Sequence, residues 1–320
     1  ANTAVAVWCA EQGLAPEAEL FHWRAALADW SAAGPHEALA HRLKRDQWEV
    51  RFGRDWLDLD ELRDATKDFG TPFTIRTSLH EVRTNASLED GVEAAVGLIR
   101  VYHWFHHEFG PHAPLRHATE VMELYLHGDA ASYPESSTTL PGDFLVEDNR
   151  IVMDALRWRG LPDLAHQAGH QLLYAAYQDY RRGVGLAPAW LAESVSEYLA
   201  RMLDRDGPPD ASLAAQQGNE YFRVHAEARE PHGITRVLNF DMSDVHRPGD
   251  DPLRVAQSYT LLYFLLHADE KAYADRFRVY FAGTFEGKSS PTDFDNALEL
   301  DDGELEERWA RFVAEAVSGG

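Results

Sequence analysis

Residues 161–177 read LPDLAHQAGHQLLYAAY, and residues 187–202 read APAWLAESVSEYLARM. In the first stretch Gly160, Pro162 and Asp163 give the start signals of a helix, and Leu164, Ala168, Leu172 and Tyr174 to Ala176 supply its apolar face. His166 and His170 stand four apart on that helix, so both imidazoles project from one face, where they can share a metal. In the second stretch Ala187-Pro188 reads as a helix entry, and Glu193 and Glu197 again stand four apart on one face. Two histidines and a carboxylate from the next helix make a three-ligand zinc site with an open position. One of the two acids can bind the metal while the other accepts the second ring N–H of a histidine.

The catalytic version of such a helix is H-E-x-x-H, whose Glu is the general base that activates water. Gln167 occupies that position, and an amide cannot accept and hand on a proton as a carboxylate does. His166 to Leu172, Pro188 to Tyr198 and Val255 to Leu265 together resemble the gluzincin zinc metallopeptidases, and more narrowly the peptidase-MA-like proteins of bacteria. The motifs that carry the resemblance are an H-E-x-x-H helix, a helix of the form P-x-W-L-x-E-G-x-x-E-Y, and a later one of the form Y-x-Q-x-W-x-L-x-x-F-L. It spans roughly residues 70 to 315. It implies Zn held by His166, His170 and Glu193, with Glu197 orienting a histidine, and it implies peptide-bond hydrolysis.

Three positions depart from the family pattern: Gln167 replaces the base, Ser194 the glycine after the ligand acid, and Val255 a tyrosine. In such sites a tyrosine stabilises the oxyanion formed on a carbonyl. Tyr259, one turn further along the same helix, is the candidate substitute, against the plainer reading of a core aromatic in SYTLLYFLL. Gln167 fits either a natural pseudo-enzyme or a substitution that removes the base and keeps its shape. Two other readings stand beside the impaired peptidase: a non-catalytic protein that binds a peptide or protein in the cleft, and a metal-free helical scaffold.

The chain has 53 acidic against 30 basic residues, for a formal net charge of -23, which argues against nucleic acid or an anionic membrane surface as partner. A composition of 45% hydrophobic and 26% charged residues is a globular balance. Cys9 is the single cysteine, so no intramolecular disulfide can form. No stretch approaches the roughly 18–20 consecutive apolar residues of a membrane span. The chain opens at Ala1 without a methionine, and the family resemblance implies export.

The expected fold class is α+β. Residues 1–46 read as helical, with breaks at Gly13 and Gly34-Pro35 and a tetratricopeptide-like hairpin around Glu11 to Ala18, Trp23, Ala26 and Leu27. Residues 47–154 read as a mixed α/β part, with strands near Trp48 to Phe52, Phe73 to Thr77 and Val121 to Leu126, and a long helix over Leu88 to Phe109. Asp143 to Asp154 reads as two short strands about Asp148-Asn149. The resemblance implies that an edge strand before the zinc helix holds substrate backbone, which makes Phe144 to Glu147 or Arg150 to Met153 the candidate. Residues 155–320 read as helical, interrupted at Asp206 to Asp210 and His246 to Asp251, with a last helix over about Glu304 to Val317. His103, His106, His107, His112 and His117 also crowd together, and His103 and His107 repeat the spacing of four; with no acid in a ligand context they read as solvated or core histidines.

Overall fold

The structure is a computed structural model that describes residues 1–113, 115, 120–133, 141–180, 186–203, 219–241, 252–300 and 302–318. The expected breaks at Asp206 to Asp210 and His246 to Asp251 lie outside the described residues, as does His117. The class is α+β and mostly helical. The chain forms two compact units, one of Ala1–Arg100 with Thr119–Leu164, the other of Val101–Ala118 with Ala165–Gly320.

The first unit opens with α1 (Asn2–Glu11) and α2 (Ala15–Ala28), which turn at Gly13, where φ is +76°. They bury Ala6, Cys9, Leu20, Trp23 and Ala26. Gly34-Pro35 does not break the chain. It lies inside α3 (Ala33–Ala38), because a proline in the first turn of a helix gives up no hydrogen bond. The break falls just before, where Asp29 accepts from the backbone N–H and the hydroxyl of Ser31.

The helical segment also ends earlier than residue 46. Arg42–Lys44 is a strand (β1) that pairs antiparallel with β2 (Gln47–Phe52). Their two-residue turn places Arg45 and Asp46 at φ of 51° and 64°, the left-handed values that a tight hairpin turn demands. β2 continues the small sheet to β3 (Asp55–Leu57), and α4 (Leu59–Ala65) begins at a reciprocal cap between Asp58 and Glu61.

A second, five-stranded sheet contains β4 (Phe73–Arg76), β5 (His80–Thr84), β6 (Met122–His127), β7 (Gly142–Leu145) and β8 (Arg150–Asp154) in the order β4-β5-β6-β8-β7. β5, β6 and β8 run parallel. The first parallel pair needs a crossover, which α5 (Leu88–Phe109) supplies. The two candidate edge strands now separate. β8 is hydrogen-bonded on both sides, so Arg150 to Met153 has no free edge, whereas β7 closes the sheet. Val146-Glu147 leave the strand for a 3-10 turn that ends at Asn149 with φ 49°.

The second unit is helical: α6 (Leu161–Tyr180, from Ala165 on), α7 (Ala189–Met202), α8 (Asn219–Ala226), α9 (Ile234–Leu238), α10 (Pro252–His267), α11 (Ala274–Thr284), α12 (Pro291–Leu298) and α13 (Asp302–Ser318). α10 packs on α7 and α8, and α13 packs on α8. α7 and α10 are buried almost all round, and the nearly continuous apolar run of α10 carries no clean amphipathic stripe for that reason. Tyr198, Phe222, Tyr259 and Phe264 are buried in the core of this unit, as is Trp190, whose ring meets Tyr280 of α11 and Phe294 of α12. Among the described residues no helix is long and apolar enough to cross a membrane.

Candidate metal centre

α6 contributes His166 and His170, and α7 contributes Glu193 and Glu197. The two helices meet closely at Gly169. A Cβ added there would lie 2.8 Å from the Cα of Ser196, so only glycine against a small residue lets the backbones approach this far.

At this crossing the Nε2 atoms of His166 and His170 are 3.3 Å apart, and His170 Nε2 is 3.5 Å from Glu193 Oε2. One ligand atom from each of the three residues lies within 4.8 Å of the others, the only such group of three or more among the described residues. Donors arranged tetrahedrally at about 2.0–2.1 Å from one ion stand about 3.3–3.4 Å from one another. Both separations match that edge, so the residues fit a metal ion. His170 and Glu193 are 6% and 4% exposed, with His166 half-buried beside them, and a buried carboxylate needs a positive charge close by.

Glu197 stands behind the cradle. Its Oε1 is 3.1 Å from His166 Nδ1, which leaves Nε2 of the same ring to face His170. Burial pulls the His166 imidazole toward its neutral form, but the charges of Glu193 and Glu197 override it and lift its pKa to about 9. Without metal the ring therefore carries a proton at neutral pH, and a metal ion has to displace it. Burial acts on Glu197 in the opposite sense. His166 and Arg201 nonetheless hold its carboxyl below the ordinary carboxylate range.

The remaining sequence candidates are placed as follows. Gln167 is buried, 7% exposed, next to His166. Tyr259, the candidate oxyanion group, is fully buried, its ring 5.2 Å from that of Tyr221. Two residues around the cradle were not anticipated. Arg201 pairs with Glu197 from one turn further along α7, and the ring of Tyr221 of α8 lies under the Arg201 guanidinium, its phenol held protonated first by burial and then by the Glu197 charge. The spacing of four between Glu197 and Arg201 was a readable signal, whereas nothing in the sequence around Tyr221 marks it. His103 and His107 are exposed on α5, and His106 is half-buried against Tyr102.

Neither a protein-family model nor a curated protein matches the chain.

Proposed function

We propose that the chain is a zinc-binding protein of the metallopeptidase type, with Zn held by His166, His170 and Glu193 and peptide hydrolysis impaired by Gln167. The observation that carries this reading is the tetrahedral-edge spacing of His170 Nε2 from both His166 Nε2 and Glu193 Oε2, in a group whose three ligand atoms all lie within 4.8 Å of one another. Two imidazole nitrogens and one carboxylate oxygen are a donor set that suits zinc and leaves a fourth position open. Bound there, zinc would supply Lewis acidity toward a peptide carbonyl and toward water.

The chain's own residues would then divide the remaining tasks. His166 and His170 present neutral nitrogens to the ion, and Glu197 accepts the Nδ1 proton of His166 and fixes that ring. Gln167 stands where the reaction needs a proton acceptor, and its amide orients water without taking a proton from it. Gln167 also favours a second reading, a protein that captures a peptide or protein in the cleft and does not cut it.

Metal analysis of the purified protein together with a peptidase assay on Gln167→Glu tests the proposal. The expected result is close to one zinc per chain, little turnover by the protein as it stands, and a gain of about 10²–10⁴-fold in zinc-dependent hydrolysis for the variant. Zinc bound with no gain selects the binding protein. Absence of zinc selects the metal-free scaffold.

A further inference from the structure

We infer that Arg201 is a positioning residue for the metal cradle: a buried guanidinium clamped by Tyr221, Tyr259 and Glu220 that fixes the Glu197 carboxylate in the orientation His166 requires. The inference rests on the metal-centre reading above.

The Arg201 side chain is 13% exposed, and a guanidinium so far from water needs every contact the fold can give it. Its plane lies over the ring of Tyr221, 4.2 Å from the centroid, with the Tyr259 ring at 5.5 Å. Nη2 donates to Glu220 Oε1 at 3.0 Å, and Nη1 donates to Glu197 Oε2. Contacts from α7, α8 and α10 therefore hold one planar group, where cation–π attraction is strengthened by desolvation.

The consequence runs along the carboxylate. With Oε2 taken by Arg201, Oε1 of Glu197 is the oxygen left to face His166 Nδ1 at 3.1 Å. With a metal bound, His166 would then donate from Nδ1 and keep the lone pair on Nε2, the nitrogen 3.3 Å from His170 Nε2. Remove the guanidinium, and Glu197 keeps its charge beside Glu193 without the cation that offsets the repulsion. A lysine could supply the charge, but not the fork that holds Glu197 and Glu220 together nor the flat face that stacks on tyrosine. Tyr259 is thereby assigned a role in the clamp, which explains its complete burial.

The test is a double-mutant cycle on zinc affinity, read by competition with a chromophoric chelator and paired with circular dichroism to verify folding. Arg201→Met should weaken zinc binding by roughly 10–100-fold, as should Glu197→Gln. In the Glu197→Gln background the further loss from Arg201→Met should shrink to no more than about 2-fold, because a residue that acts through another has nothing left to act on. Arg201→Lys should fall between wild type and Arg201→Met in affinity. It also carries the cycle if Arg201→Met does not fold. The cobalt(II)-substituted protein should report the same change as an altered d–d spectrum in Arg201→Met. Unchanged affinity, or losses that simply add in the double variant, would overturn the role of Arg201 while leaving the metal centre standing. A wild-type chain that takes up no zinc would instead overturn the metal-centre reading and the inference with it.

Discussion

Two pairs of histidines in this chain share one spacing and have opposite fates. His166 and His170 on α6 face each other across 3.3 Å beside Glu193, whereas His103 and His107 on α5 stand exposed, their nearest ring contacts Tyr102 and Trp104. Spacing of four puts both rings of either pair on one helix face, so spacing is not what distinguishes them. The difference lies in what crosses that face. α7 brings two carboxylates against α6, and among the described residues no comparable acid meets His103 and His107. An i, i+4 histidine pair is half of a site, and the second helix decides whether the other half exists.

The strongest way to break this contrast is to delete one ligand from each pair. His170→Ala or Glu193→Ala should abolish stoichiometric zinc binding, a loss beyond the roughly 10–100-fold that accompanies removal of an outer partner. His103→Ala and His107→Ala should leave affinity within about 2-fold, the usual span for surface substitutions. Isothermal titration with zinc measures both. Equal losses in the two sets would mean that the ion sits elsewhere.

How far these features could be read in advance follows the same logic. α5 was legible over about Leu88–Phe109, because a long helix with one wet face writes its period into the sequence. β5 was not: HEVRT reads as polar, yet His80, Glu81, Val82 and Thr84 are buried. The polarity is absorbed by the structure, since Arg76 and Arg83 both pair with Glu81. Likewise the reciprocal cap of Asp58 and Glu61 announces α4 and passed unread within a charged run. At the site, the pairs His166/His170 and Glu193/Glu197 were each legible from their spacing of four, and that the two pairs meet was an expectation of the resemblance rather than of spacing. Arg201 was readable from its spacing of four to Glu197, whereas Tyr221 answers to packing between helices, which no local pattern encodes. The Gly34-Pro35 pair misled because the same two residues serve a turn or a first helical turn equally well.

Protonation sharpens the contrast within the second unit. Burial alone drives His225 and burial first of all drives His267 down to about 4, whereas His166, buried beside two carboxylates, rises to about 9. The signs are opposite. A raised folded pKa gives His166 a stabilising contribution that is full below the unfolded value near 6.5 and is lost as pH climbs through 9. A depressed folded pKa gives His225 and His267 a contribution that is full above 6.5 and is lost as pH falls through 4. The chelated protein should therefore melt highest near pH 6–7 and lower on either side, by no more than about 3 kcal/mol on the alkaline limb. Zinc should remove that limb, because the bound ring is already neutral. Thermal denaturation across pH, with zinc and with chelator, reads both limbs. An alkaline limb that persists unchanged in saturating zinc would sever His166 from the metal.

The smallest expected effect comes from the helix crossing itself. If α7 completes the site only because Gly169 lets it approach, then Gly169→Ala should damage binding without touching a ligand. The added Cβ would meet Ser196 at 2.8 Å from its Cα and 2.8 Å from its Oγ, and a backbone atom cannot swing aside as a long side chain can. The helices must part by a fraction of an ångström or strain against each other, at a cost of about 1–3 kcal/mol for an overpacked contact. That cost opposes the gain of about 1 kcal/mol that alanine brings to a helix interior over glycine. The net result should be a modest fall in melting temperature together with weaker zinc binding, since the 3.5 Å separation of His170 Nε2 on α6 from Glu193 Oε2 on α7 depends on the crossing distance. Ser196→Gly added to Gly169→Ala should restore part of both, because it removes the Oγ and Cβ that the new methyl group meets. A Gly169→Ala protein that is more stable than wild type and binds zinc equally well would show that the helices can give way here, and that close approach is not what separates the metal-ready pair from the exposed one.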